Sequence, residues 1–151
     1  MNLTIALQNA SSASAPPSLA DFERWVGAAL DGRRDEAEVS IRLVDEEESA
    51  TLNARYRQRD TPPNVMSFPA DLPAELELPL LGDLVICSGV VQREASEQGK
   101  AETAHWAHMV IHGTLHLIGY DHIEDTDAER MEGLEISILE TLEFPNPYLA
   151  N

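Results

Sequence analysis

Several shortages in the sequence narrow its reading before any motif is considered. Cys87 is the single cysteine, so no internal disulfide forms and a reducing cytoplasm is the simple expectation. No apolar run approaches the roughly 20 residues that a membrane helix needs. The first basic residue is Arg24, which makes the N-terminal stretch MNLTIALQNA a poor secretory signal. Bases number 10 against 27 acids, for a net charge of −17. The chain as a whole therefore repels phosphate and lacks the general electropositive footprint of a nucleic-acid binder. Histidine is missing altogether from residues 1–104.

What is present is unevenly placed. Residues 121–143 carry nine acids against Arg130 alone, and they read as a solvated face. Residues 55–60 carry Arg55, Arg57 and Arg59 against Asp60, a local basic cluster compatible with an anionic substrate. All five histidines fall between positions 105 and 122.

At 151 residues the expectation is one domain, 1–151, with a core large enough to need no disulfide or structural metal. Leu3, Ile5 and Leu7 alternate as in a strand at 2–8. Ser18 suits the cap of a helix whose apolar face is Phe22, Trp25, Val26, Ala29 and Leu30, with Gly32 ending it. Val39, Ile41 and Leu43 mark a second strand, which puts Arg42 on its opposite face. Asp45 with Glu48 reads as a capping box opening a helix that carries Leu52, Tyr56 and the arginines, stopped by Pro62 and Pro63. NVMSFP is a short strand, Pro69/Pro73/Pro79 a stiff acidic loop, and LLGDLVIC a strand buried on both faces. Helices follow at Ser88–Gln98, with Gly99 after it, and at 102–118. Thr126 with Glu129 reads as a capping box for a last helix burying Met131, Leu134, Ile138 and Leu142. The fold class expected is α+β, a small mixed sheet of about four strands surrounded by about five helices.

On the 102–118 helix, with His105 taken as zero, His108, His112 and His116 fall near 300°, 340° and 20°, an arc of about 80°. The stretch HGTLHLIGYDH adds His122 after Gly119, which can take the left-handed conformation that reverses a chain at a helix end. His112 and His116, at i and i+4, can offer both imidazoles to one ion. Three histidines with one position left open is the layout of a catalytic zinc site. Zinc is the expected ion, although nickel or copper also suits three imidazoles. His105 and His108 share the stripe and read as supporting or packing residues. Asp83 and Asp121 are candidates to orient the histidine nitrogens, with a turn aspartate and a helix-end aspartate as the plainer readings.

The spacing also matches H-E-x-x-H-x-x-G-x-x-H at every position except its glutamate, where Gly113 stands. That glutamate is the general base of the metal proteases. The chain thus keeps a metal cradle without the base a peptidase draws from this position. Hydrolysis remains open to it, because a metal lowers the pKa of its water.

These residues resemble the YbeY family, single-metal endoribonucleases of bacterial rRNA maturation. The resemblance rests on HGTLHLIGYDH, NARYRQRDTPPNVMSFP at 53–69, LLGDLVIC at 80–87 and AHWAHMVIHG at 104–113, in order across roughly 38–148. It implies that His112, His116 and His122 are the metal ligands. It implies that Arg57, in the pattern Asn53, Tyr56, Arg57, has a catalytic role, and a guanidinium there would bind non-bridging phosphate oxygens. Further implications are one divalent ion, cleavage of single-stranded RNA, processing at the 3′ end of 16S rRNA, and ribosome quality control. The implied partners are the small ribosomal subunit and assembly-factor proteins, with no DNA and no membrane. Attack by a water or by the RNA's own 2′-hydroxyl both fit, and only the second leaves a 2′,3′-cyclic phosphate. Two alternatives stand beside this reading: a metallopeptidase with its base elsewhere, and a non-enzymatic assembly factor whose metal braces the fold.

Overall fold

Alternating apolar residues at the N-terminus form β1, Asn2–Asn9, whose Leu3, Ile5 and Leu7 pack on the core from the sheet's edge. The computed structural model describes residues 2–13, 15–56, 64–70, 78–120 and 125–149. Over these the order continues with α1 (Leu19–Leu30), β2 (Glu36–Val44), α2 (Glu46–Tyr56), β3 (Val65–Pro69) and β4 (Leu80–Cys87). Three helices follow: α3 (Ser88–Glu97), α4 (Glu102–Leu117) and α5 (Asp125–Thr141). The sheet runs β1-β2-β4-β3. β1 and β4 lie parallel to β2, while β3 lies antiparallel to β4. This is the mixed four-stranded α+β arrangement expected, and no helix among the described residues is long and apolar enough to cross a membrane.

Strand alternation divides the apolar residues between two faces. Val39, Ile41, Leu43, Val65, Leu84 and Ile86 meet α1 and α4 in the main core. Phe22, Trp25 and Trp106 form its aromatic centre, with edge-to-face contacts at 5.8 and 6.1 Å. Val44, Met66, Val85, Cys87 and Val90 form a smaller cluster on the opposite face, under Leu52 of α2. β4 carries both sets, hence its nearly continuous apolar sequence.

Ser18 caps α1 as expected, its Oγ accepting from the Asp21 N–H at 3.2 Å while Asp21 accepts from the Ser18 N–H. The other expected capping boxes differ. Both carboxylate oxygens of Glu48 accept from Arg42, at 2.6 and 2.8 Å, and Asp45 accepts from the Ser12 N–H and hydroxyl. Longer-range partners have taken these side chains from the local cap. Thr126 lies inside α5, which begins at Asp125.

Candidate metal centre

α4 is buried on nearly all sides because it packs against the sheet and against α1, α3 and α5. Gly113 gives it close approach to the sheet. A Cβ at that position would come 2.9 Å from Leu84 Cδ2 and 3.1 Å from Val65 Cγ2. The Gly113 carbonyl also accepts a hydrogen bond from Ser67 Oγ at 3.0 Å, fastening α4 to the edge strand β3. The position that a metal protease gives to its glutamate is here a packing contact with no room for a side chain.

One residue before that contact the helix turns a side chain outward. His112 keeps a quarter of its side chain exposed (25%). One turn on, His116 brings its Nε2 to 3.2 Å from His112 Nε2, with the rings near perpendicular at 80°. Two nitrogens bound to one tetrahedral ion at about 2.05 Å stand roughly 3.3–3.4 Å apart, so the pair already has the spacing of shared ligands. In the absence of an ion the same separation suits a hydrogen bond between the rings.

The tautomer of His112 follows from its other nitrogen. His112 Nδ1 lies 3.2 Å from Glu135 Oε2 on α5. A proton on Nδ1 donated to that carboxylate leaves the Nε2 lone pair bare, as a metal ligand requires. Glu135 is 1% exposed. Its other oxygen accepts from His108 Nε2 and from the Tyr148 hydroxyl, the latter at 2.6 Å. Burial alone would raise the Glu135 pKa, but hydrogen bonds from His108, His112 and Tyr148 outweigh it and hold the carboxyl at about 2. Burial and the adjacent Glu135 both push the Tyr148 hydroxyl well above its ordinary range, so it serves as a donor. His108 Nδ1 is buried without a partner. That fits the tautomer protonated at Nε2, which leaves a bare acceptor rather than an unmet donor.

Glu135 corrects the sequence reading, which placed every acid of 121–143 on a solvated face. It lies four residues after Met131 and three before Ile138, both buried, so helical spacing put a carboxylate on the apolar stripe. His105 serves a different carboxylate. Its Nε2 lies 2.9 Å from Glu94 of α3, which also accepts from Asn64 just before β3, and burial lowers its pKa.

Gly119 has φ +103°, and the chain leaves α4 through paired bonds from the Gly119 N–H to the His116 carbonyl and from the Tyr120 N–H to the Leu115 carbonyl. This glycine-dependent reversal is the one expected between His116 and His122. His122 itself, with Asp121, Arg57 and Arg59, lies outside the described residues. Among the described residues no third ligand joins His112 and His116.

The remaining candidates lie elsewhere. Asp83 is in mid-strand, paired with Ser40 and Phe68, and exposed on the face opposite α4. It is therefore neither a turn residue nor an orienter of the histidines. Arg42 is held bidentately by Glu48.

The family model described as Endoribonuclease YbeY matches residues 7–143. Endoribonuclease YbeY of Stutzerimonas stutzeri is 58% identical over 147 residues, which cover 97% of this chain and 91% of that protein. The solution structure of a Thermotoga maritima protein shares the fold, with a TM-score of 0.64 at 24% identity, over 95% of this chain and 99% of that one. By the extent of the family match and the identity to its Stutzerimonas member, the chain belongs to the YbeY endoribonuclease family.

Proposed function

We propose that this endoribonuclease depends on one divalent metal ion, zinc by its ligand chemistry, and cuts single-stranded RNA in the maturation of the 16S rRNA 3′ end. The observation that carries the metal reading is the convergence of His112 and His116 Nε2 at 3.2 Å, with Glu135 on His112 Nδ1. His122, three residues after Gly119 in the sequence, is the third ligand in this reading. When bound, the ion supplies Lewis acidity toward a water or a phosphate oxygen.

The chain's own residues prepare the site in three ways. Glu135 keeps the His112 proton on Nδ1. Gly113 and Ser67 lock the histidine helix against β3, fixing the height of both imidazoles above the sheet edge. Arg57, the proposed catalytic residue, binds the scissile phosphate and offsets the charge that builds on its oxygens. The site works in the cytoplasm on RNA presented by the small ribosomal subunit and assembly factors, which relieves the repulsion between RNA and so acidic a chain. The filled space at Gly113 weighs against a peptidase.

The test uses a 3′-extended 16S precursor in small subunits, with wild-type and Arg57→Ala proteins of equal metal content. Discrete cleavage by wild type, lost in Arg57→Ala, is the expected result. Subunit binding by both proteins with no change in the RNA would favour an assembly factor instead.

A further inference from the structure

Three of the described arginines are answered by acids: Arg24 by Asp21, Arg42 by Glu48 and Arg93 by Glu46. Arg33, Arg34 and Arg130 make no ion pair with any described residue, and all three line one cavity of about 470 Å³. The cavity lies at the C-terminal end of α4, where Ile118, Gly119 and Tyr120 form part of its wall. Asp127 is the one acid among its described lining residues. Arg33 and Arg34 lie just past the turn that ends α1 and each spends a single terminal nitrogen on backbone, Arg33 on the carbonyls of Ala29 and Asp31, Arg34 on that of Arg33. Their other guanidinium nitrogens have no partner among the described residues. Arg130 comes from the first half of α5, so two separate elements deliver like charges to one concavity. Three like charges around one concavity, with only Asp127 among the described lining residues to offset them, make it locally electropositive in an otherwise acidic chain. A tyrosine beside them adds a face for stacking, the other component of single-strand recognition.

We propose that this cavity is a subsite for the sugar–phosphate backbone of the single-stranded RNA substrate, on the side of the metal centre beyond the α4 C-terminus. The inference rests on the nuclease reading above. Ile118 and Gly119 follow His116 by two and three residues, so the cavity and His116 share the C-terminal end of α4. A strand with its scissile phosphate at the histidines would continue round the end of α4 to meet the arginines. Arg34 and Arg130 grip two consecutive phosphates, while Arg33 also ties down the end of α1.

The test is the salt dependence of binding of a fluorescein-labelled, fully 2′-O-methylated 12-nucleotide RNA, which the enzyme cannot cut through the 2′-oxygen. Each phosphate contact contributes about 0.7 to the slope of log Kd against log salt for a single strand. Arg34→Gln/Arg130→Gln should lose about 1.4 of that slope, and Arg34→Lys/Arg130→Lys should keep it. Arg24→Gln/Arg93→Gln changes the net charge equally at positions outside the cavity, and should leave the slope unchanged. With a cleavable 12-mer, the glutamine pair should raise KM about tenfold at unchanged kcat. An unaltered slope in the glutamine pair, with wild type binding normally, overturns the subsite alone. An equal fall in the Arg24/Arg93 control overturns it too, since net charge would then account for the effect. Failure of wild type to bind or cut any RNA overturns the nuclease reading and the subsite with it.

Discussion

Glu135 and His112 are 23 residues apart in the chain, on α5 and α4, and are joined by a 3.2 Å contact between carboxylate and imidazole. The same carboxylate holds His108 and Tyr148, so one buried charge gathers two further side chains beside a ring that points its other nitrogen at His116. Glu135→Gln should retain most of the fold while turning an amide N–H₂ toward groups that donate. Metal affinity, measured by competition with a chromophoric chelator, should fall by about 10- to 100-fold. Unchanged affinity would mean that Glu135 does not set the His112 tautomer.

Glu135→Ala should cost more. It leaves the buried His108 Nε2 without its carboxylate and takes one from the half-exposed Tyr148 hydroxyl, for about 1–3 kcal/mol of unfolding free energy. Urea denaturation of the metal-free protein measures it, and a change below half a kilocalorie would mean the network contributes little.

Gly113→Ala adds the Cβ that would meet Leu84 and Val65. Overpacking there should destabilise the protein by about 1–3 kcal/mol and displace the histidine helix from β3. Gly113→Glu, which restores the protease pattern in sequence, should destabilise further and release no fragments from a peptide library. Peptide cleavage by that variant would contradict the packing account.

The histidine stripe and the turn at Gly119 were legible in the sequence because both are local: helical spacing aligns the rings, and the chain reversal calls for a glycine within six residues of His122. The Ser18 cap and the β4 core run were legible for the same reason. Glu135 was not, although it sits at helical spacing between Met131 and Ile138, because eight other acids in 121–143 made one more look solvated. Gly113 announced a missing base but not its reason, since the atoms that crowd it come from Val65, Ser67 and Leu84, far back in the chain. Glu48 illustrates the same limit: its spacing from Asp45 suggested a local cap, and Arg42 on the neighbouring strand claimed it.

Gly119 has a different requirement. A Cβ there would meet nothing within 4 Å, so only its φ of +103° demands glycine. Gly119→Ala should cost about 1–3 kcal/mol in backbone strain and weaken metal binding, because the proposed third ligand, His122, follows this turn in the chain. Metal affinity equal to wild type would separate the turn from the ligand set.

Cys87 is 1% exposed, and burial raises its thiol pKa above the ordinary value. The thiolate is therefore scarce at neutral pH and shielded as well. The native protein should resist a disulfide reagent at pH 8 and react with one equivalent after unfolding in guanidinium. Rapid labelling of the native state would show the β4 end to be open.

The central claim is that two histidines spaced for one ion, with His122 as the proposed third ligand, make RNA cleavage depend on a single metal. Chelator-stripped wild-type protein should be titrated with zinc while cleavage of a single-stranded RNA is followed, with metal content read on the same samples. Activity absent from the stripped protein, rising with added zinc to a plateau at one ion per chain, and absent throughout in His116→Ala, is the predicted result. Full cleavage by stripped wild type, or by His116→Ala at the wild-type rate, would contradict it.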